Sequence, residues 1–296
     1  MFCFDNKSVL GSAILTGLGL GSMYGLLALG FYITYSVSST VNFAQGSSMM
    51  LGAVFAYVFS VTLGWSLLPA AAVALLLCAL YGVIVELLAV RPFAARGSNA
   101  WLMATVALGI VADNTVLFTF GKEPRGFPMP LNGSLQLAGI NVSYVQLAIP
   151  AVGLLLAWAL SVFSRKTKYG KAMLAVVQNR DAARLMGINV PLVICAAYAA
   201  STLLAGVAGI MIAPLANVNS DMGTVFGLKA FAVAILGGIT SAWGVMLAGL
   251  IFGITEALIT AFLGSGYTQI ITFALVIVAL ALMPNGLFGR AEVKKV

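Results

Sequence analysis

Apolar runs long enough to cross a bilayer recur along this chain from residue 9 to residue 283, joined by short polar connections. A transmembrane helix consumes about 20 predominantly apolar residues. The 296 residues therefore hold about eight to ten spans with short connections. Hydrophobic residues make up 61% of the chain and charged residues 8%, against about 25% charged in soluble domains. A soluble fold cannot keep so much apolar side chain out of water. That excludes a soluble enzyme, a nucleic-acid module and a disordered chain. One membrane domain over 1–296 is expected, an all-α polytopic bundle.

The chain carries 15 basic and 8 acidic residues, a formal net charge of +7. The basic residues sit in short stretches between apolar runs, so the positive-inside rule explains them better than a nucleic-acid partner does. Cys3, Cys78 and Cys195 lie far apart and lack metal-ligand spacing; Cys78 and Cys195 read as small core residues. Histidine is absent. That removes histidine proton relays, Ser-His catalysis and His-based zinc sites. No G-x-x-x-x-G-K-[ST] stretch occurs, so ATP is not bound through a P-loop. Residues 1–8 lack the basic start and cleavage site of a secretory signal and read as a short mature tail.

The apolar runs fall at about 9–37, 49–63, 67–89, 100–120, 144–163, 192–215, 226–239, 243–263 and 267–283. The first is long and glycine-rich, which allows a tilt or a break. The run 226–239 is short enough to be a half-helix, so the bundle has eight or nine transmembrane helices. Placing the most basic segment, 165–184, in the cytoplasm puts Arg91 and Arg96 inside and Lys7, Lys122 and Arg125 outside. With nine crossings the 15 basic residues divide eleven inside and four outside, Lys229 counted outside. The N-terminus is then periplasmic and the C-terminal tail, with Arg290, Lys294 and Lys295, cytoplasmic. Gly17, Gly21 and Gly25 form overlapping G-x-x-x-G steps, and Gly249 and Gly253 form another. Small residues at this spacing let helix backbones approach closely in lipid.

The basic segment is the most informative. A helix fits 171–186, with Ala172, Ala175, Val176, Ala183 and Met186 on one face and Gly187 as terminator. Such an amphipathic helix lies on the membrane surface or docks a cytoplasmic subunit. Asp181-Ala182-Ala183, followed after three residues by Gly187, resembles the "EAA…G" coupling segment of ABC importer permeases. Val41-Asn42-Phe43-Ala44-Gln45-Gly46, Gly227-Leu228-Lys229-Ala230-Phe231 and Leu236-Gly237-Gly238-Ile239-Thr240-Ser241 add to the likeness. Together they resemble the permeases of high-affinity branched-chain amino acid uptake, the LivH-type subunits, over nearly the whole chain. Two departures stand out. Asp181 replaces the usual Glu, and Pro191 follows Gly187 sooner than in other importers.

The resemblance implies a bacterial inner-membrane importer. This chain would pair with a homologous LivM-type subunit or a second copy of itself. Two cytoplasmic ATP-binding subunits would dock on the coupling segment within 165–190, at Arg180, Asp181, Ala182, Ala183, Arg184 and Gly187. A periplasmic binding protein would deliver the substrate. The chain itself would have no catalytic residue, no metal and no cofactor, since ATP belongs to a separate subunit.

Candidate pathway residues come from the remaining polar groups. Asn42, Gln45 and Ser47 precede an apolar run, where they contact a polar substrate or form a turn in which Ser47 or Ser48 caps the helix. Asp113 and Glu256 lie near the middle of their spans and must face the bundle interior or a water-filled path. They line the pathway and meet a substrate ammonium, or they hold helices together. With no basic residue expected near mid-depth, ion pairing is not anticipated. Glu86, five residues before Arg91, reads as interfacial. Asp221 and Lys229 flank the short run and suggest an outer-face role. The loop 121–142 also lies outside and suits the delivery protein. The Asn-x-Ser triplets at Asn6, Asn132 and Asn141 fall on the same side. An ion-coupled secondary transporter is the alternative mechanism, and urea, short amides and aromatic acids are the alternative substrates.

Overall fold

The computed structural model describes residues 2–128, 133–137, 140–283 and 286–288. The tail residues Arg290, Lys294 and Lys295, and Asn132, lie outside the described residues. Helix α1 (Phe2–Ser38) runs unbroken for 37 residues, so of the tilt or break its length and glycines allow, no break occurs. The reason lies in its partner. Helix α11 (Ala242–Leu263) packs along it through the two glycine ladders. A Cβ at Gly21 would stand 2.7 Å from the Gly249 carbonyl oxygen, and one at Gly253 would overlap the Gly21 backbone. Close backbone packing offsets the low helix propensity of glycine here.

Helix α2 (Gln45–Tyr57) continues as a π turn over Val58–Thr62. Helix α3 (Leu67–Val85) continues as a second π turn, Glu86–Val90, into the short α4 (Arg91–Ala94). Helix α5 (Trp101–Phe120) leads into the loop 121–142, which holds an antiparallel hairpin of β1 (Ser134–Leu137) and β2 (Ile140–Ser143). Ser143 then caps α6 (Tyr144–Lys166) in a capping box with Gln146. Next come α7 (Lys168–Gln178), α8 (Arg180–Leu185), α9 (Val190–Ala216) and α10 (Met222–Gly237). Helix α12 (Ser265–Leu282) closes the bundle after α11.

Among the described residues, seven helices are long and apolar enough to cross a membrane. They are α1 from Val9, the continuous Leu67–Ala94, α5, α6, α9, α11 and α12. The fold is thus a polytopic helical bundle. The two further runs, α2 with 13 residues and α10 with 16, are shorter.

The chain ends of the long helices sort into two groups. Arg180 of α8 donates to the Ser39 hydroxyl just past α1 (3.1 Å). Ser38, Glu86, Arg91, Arg184 and Val190 surround a common cavity. One end therefore gathers the close of α1, the π turn with α4, the α8 element and the start of α9. At the opposite end Arg125 and Val218 form a β-bridge, and the Tyr57 ring stands edge-on to Phe120 at 5.3 Å.

Candidate functional site

The two short helices begin inside the bundle. After α1 the chain turns at Ser39, whose φ of +55° places a non-glycine residue in the left-handed region. Thr40 bonds the Ser38 hydroxyl and the Tyr198 hydroxyl of α9, the latter at 2.7 Å. The chain then re-enters the bundle. Gln45 Nε2 donates to the Ser201 carbonyl (3.0 Å), and Ser201 Oγ stands 2.9 Å from both Gly30 O and Gln45 Oε1. Gly30 lies eight residues before the end of α1, so α2 starts about 12 Å below that end. From the opposite side α10 starts level with Asp113, whose Oδ2 accepts from Thr224 (3.2 Å). Gly46 and Gly223 meet so closely that a Cβ on Gly46 would overlap the Gly223 carbonyl.

Two helix N-termini thus meet at mid-depth beside a cavity of about 250 Å³. Its polar lining is Ser47, Asp113 and Thr224; Phe31, Phe43 and Phe231 form an aromatic wall. Phe231 packs against Phe43 and Phe31 with centroids 5.1 and 5.6 Å away. Asp113 Oδ1 is buried without a hydrogen-bond partner among the described residues. Partial positive charge at helix N-termini favours an anionic group, and the Asp113 carboxylate favours a cationic one.

Of the pathway residues read from sequence, Ser47 and Asp113 come together here. Asn42 and Gln45 are buried in the turn instead, Asn42 bonding the Ala44 amide and Gln45 tying α2 to α1 and α9. The helix begins at Gln45 with Ala44 as N-cap and no side-chain cap bond, so neither Ser47 nor Ser48 caps it. Their hydroxyls donate to the Gly109 and Ala44 carbonyls at 3.2 and 2.9 Å.

Glu256 lies elsewhere and corrects two expectations. Lys229 is buried and pairs with Glu256 at 2.5 Å, with the Tyr24 ring 6.0 Å from its Nζ. Lys229 thus sits within the bundle, not on the outer face, and ion pairing does occur at depth. A helix that starts inside the bundle carries its second turn inward, which counting from the polar flank did not anticipate. Glu86 is buried and held by Arg91 in a two-pronged pair at 3.0 and 2.8 Å. Asp221 stays exposed at the start of α10.

The basic segment forms two helices, not the single one expected over 171–186. Asn179 breaks it: the residue is extended, and its Oδ1 accepts from the amides of Asp181 and Ala182, both at 3.0 Å. A side chain that satisfies free helix N–H groups starts a helix at that point. Gly187, at φ +82°, ends α8 as anticipated. Its amide donates to Arg184 O and that of Ile188 to Ala183 O, both at 3.0 Å, a Schellman pattern. Ala183 is buried against the bundle, whereas Leu185 and Met186 are 89% and 83% exposed. Met186 therefore does not share the face of Ala183 expected from the sequence, because the break at Asn179 turns α8. Sequence reasoning missed this exposed apolar tip, and also Thr224. The Gly223 and Gly227 pair, at G-x-x-x-G spacing, was the signal for the second.

Among the described residues no group of three or more His, Cys, Asp or Glu side chains gathers as a metal site. The described helices form a polytopic bundle in which the short α2 and α10 begin at depth and α7 and α8 form a helix-break-helix element at one end. Residues 13–280 match the family described as "Branched-chain amino acid transport system / permease component", and the chain belongs to that family. It is 34% identical over 294 residues to the high-affinity branched-chain amino acid transport system permease protein LivH of Escherichia coli K12, covering 95% of this chain and 96% of that one. It is 30% identical to the corresponding BraD permease of Pseudomonas aeruginosa, over 96% and 97% of the two chains. A probable LivH permease of Methanocaldococcus jannaschii is 28% identical over 89% and 88%. The protein is therefore a multi-pass transport permease.

Proposed function

We propose that this chain forms one side of the path by which branched-chain amino acids enter the cell, in an importer driven by separate ATP-binding subunits. The observation that carries this reading is the meeting of Asp113, Ser47 and two helix N-termini around one aromatic-walled cavity. A zwitterion matches it: ammonium toward Asp113, carboxylate toward the N-termini, aliphatic side chain against Phe43 and Phe231. Urea and short amides carry no charge for Asp113 to meet, and so fit less well. The element 181–187 docks on an ATP-binding subunit, with Leu185 and Met186 as its apolar tip. That subunit holds the ATP, and the permease needs no cofactor of its own. A second permease, homologous or identical, completes the path, and a periplasmic binding protein delivers to the outer end near 121–142. The basic segment 165–184 lies in the cytoplasm of a bacterial cell, with the N-terminus periplasmic and the C-terminus cytoplasmic.

The test is ATP-dependent uptake of labelled leucine into proteoliposomes holding this chain with the ATPase, permease and binding protein encoded beside it. Uptake requiring ATP and the binding protein is the expected result. Asp113→Asn lowers that uptake roughly 10- to 100-fold while the complex still assembles, the worth of about 1.5–3 kcal/mol for a charged hydrogen bond. Wild-type complex that moves urea but not leucine overturns the substrate. Full leucine uptake by Asp113→Asn overturns the site.

A further inference from the structure

A second cavity, of about 260 Å³, lies behind α8 at the end where α1 closes and α9 begins. Three guanidinium side chains line it: Arg91, Arg180 and Arg184. Their counter-charges fall short. The Glu86 carboxylate is taken by Arg91. Asp181 stands 3.5 Å from Arg184 and is 89% exposed in its side chain, so that pair is weak. Arg180 is held by the Ser39 hydroxyl alone, with no carboxylate in ion-pair range among the described residues. Apart from Ser38 and Glu86 the remaining wall is apolar and includes Val190 and Ile194. Ser38, Ala94 and Val190 are end residues of helices long and apolar enough to cross a membrane, and Arg180 and Arg184 come from the short α8 beside them, so the cavity opens where those helices end.

We propose that this cavity seats the phosphate of an anionic phospholipid headgroup. Guanidinium groups match phosphate geometry with paired hydrogen bonds and are less strongly hydrated than ammonium groups. Basic pockets between helix ends on the cytoplasmic side recruit anionic lipid by the same electrostatics. Arg180 and Arg184 ride on α8 and Arg91 on α4, so the headgroup bridges the coupling element to the end of the α3 span. Anionic lipid then holds α8 in place for its docking partner. A carboxylate of the ATPase is the rival occupant; the apolar wall where those helices end favours the lipid.

Native mass spectrometry of the assembled, delipidated complex tests this, with phosphatidylglycerol, phosphatidylcholine and inorganic phosphate as probes. The expected result is retention of phosphatidylglycerol over phosphatidylcholine, unaffected by inorganic phosphate. Arg180→Gln with Arg184→Gln lowers that retention roughly tenfold or more in the complex that assembles. Should that variant not assemble, Glu86→Gln with Arg91→Gln removes the third guanidinium together with its buried carboxylate, and the same loss is expected. Equal retention of both lipids, unchanged retention in the variants, or displacement by inorganic phosphate overturns the proposal. So does lipid that binds the isolated chain but is absent from the complex, which would assign the cavity to the ATPase. The readout is lipid retention, so it is independent of which substrate the importer carries.

Discussion

Gly187 closes α8 and, on the proposed reading, faces the docked ATPase. Its positive φ closes α8, and a Cβ built on it meets nothing within 4 Å. A substitution there strains the backbone by about 1 kcal/mol without clashing inside the chain. Gly187→Val is therefore expected to insert and accumulate normally, yet on the proposed docking to lose uptake because it fills space the ATPase would occupy. Gly187→Asn, which tolerates the left-handed conformation, separates backbone from bulk: it should keep the α8 turn and retain more uptake than Val. Uptake by the Val variant equal to wild type would remove Gly187 from the docking surface. Gly187 was readable as a helix stop because its signal is local. Asn179 was not read as a start, because an apolar face was sought across a break that a single side-chain oxygen creates.

At the scale of elements, the decisive feature is a short helix fastened at depth. Helix α10 is tied to α11 by the Lys229–Glu256 pair, while its first turn meets Asp113 and Gly46. Removing one member of a buried pair leaves an uncompensated charge and costs about 3–5 kcal/mol, whereas removing both is far milder. Lys229→Met should lower the thermal unfolding midpoint of the purified complex sharply. Lys229→Met combined with Glu256→Gln should recover most of that loss. If the double variant is no better than the single, the pair is not what fastens α10. Half of this element was legible: the run 226–239 is short enough to be a half-helix. Its depth was not legible, because depth depends on which helices flank it.

For the molecule as a whole, orientation is the claim that joins the parts. In a background lacking Cys78, Cys195 and Cys3, and expressed without the ATPase, Leu185→Cys should react with an impermeant maleimide only in inside-out vesicles. Lys122→Cys should react only in right-side-out vesicles. Reaction of both from one side would break the two-ended arrangement, and exchanged sides would reverse the orientation. Adding the ATPase should then shield Leu185→Cys, which lies on the exposed tip.

Composition and apolar run length by themselves determined the class of this protein. Eight per cent charge and repeated runs of membrane-spanning length leave only a polytopic helical bundle. Local motifs likewise carried the helix stop at Gly187 and the family likeness around Asn42 and Gly227. The tertiary structure decided which polar residues face a cavity and which are fasteners. Asn42, Gln45 and Glu256 look as functional in sequence as Ser47 and Asp113 do. Their separation rests on partners far along the chain: Ser201 for Gln45, Lys229 for Glu256, Thr224 for Asp113. A polar side chain inside a membrane bundle must find a partner somewhere, and only the packing of distant helices specifies where.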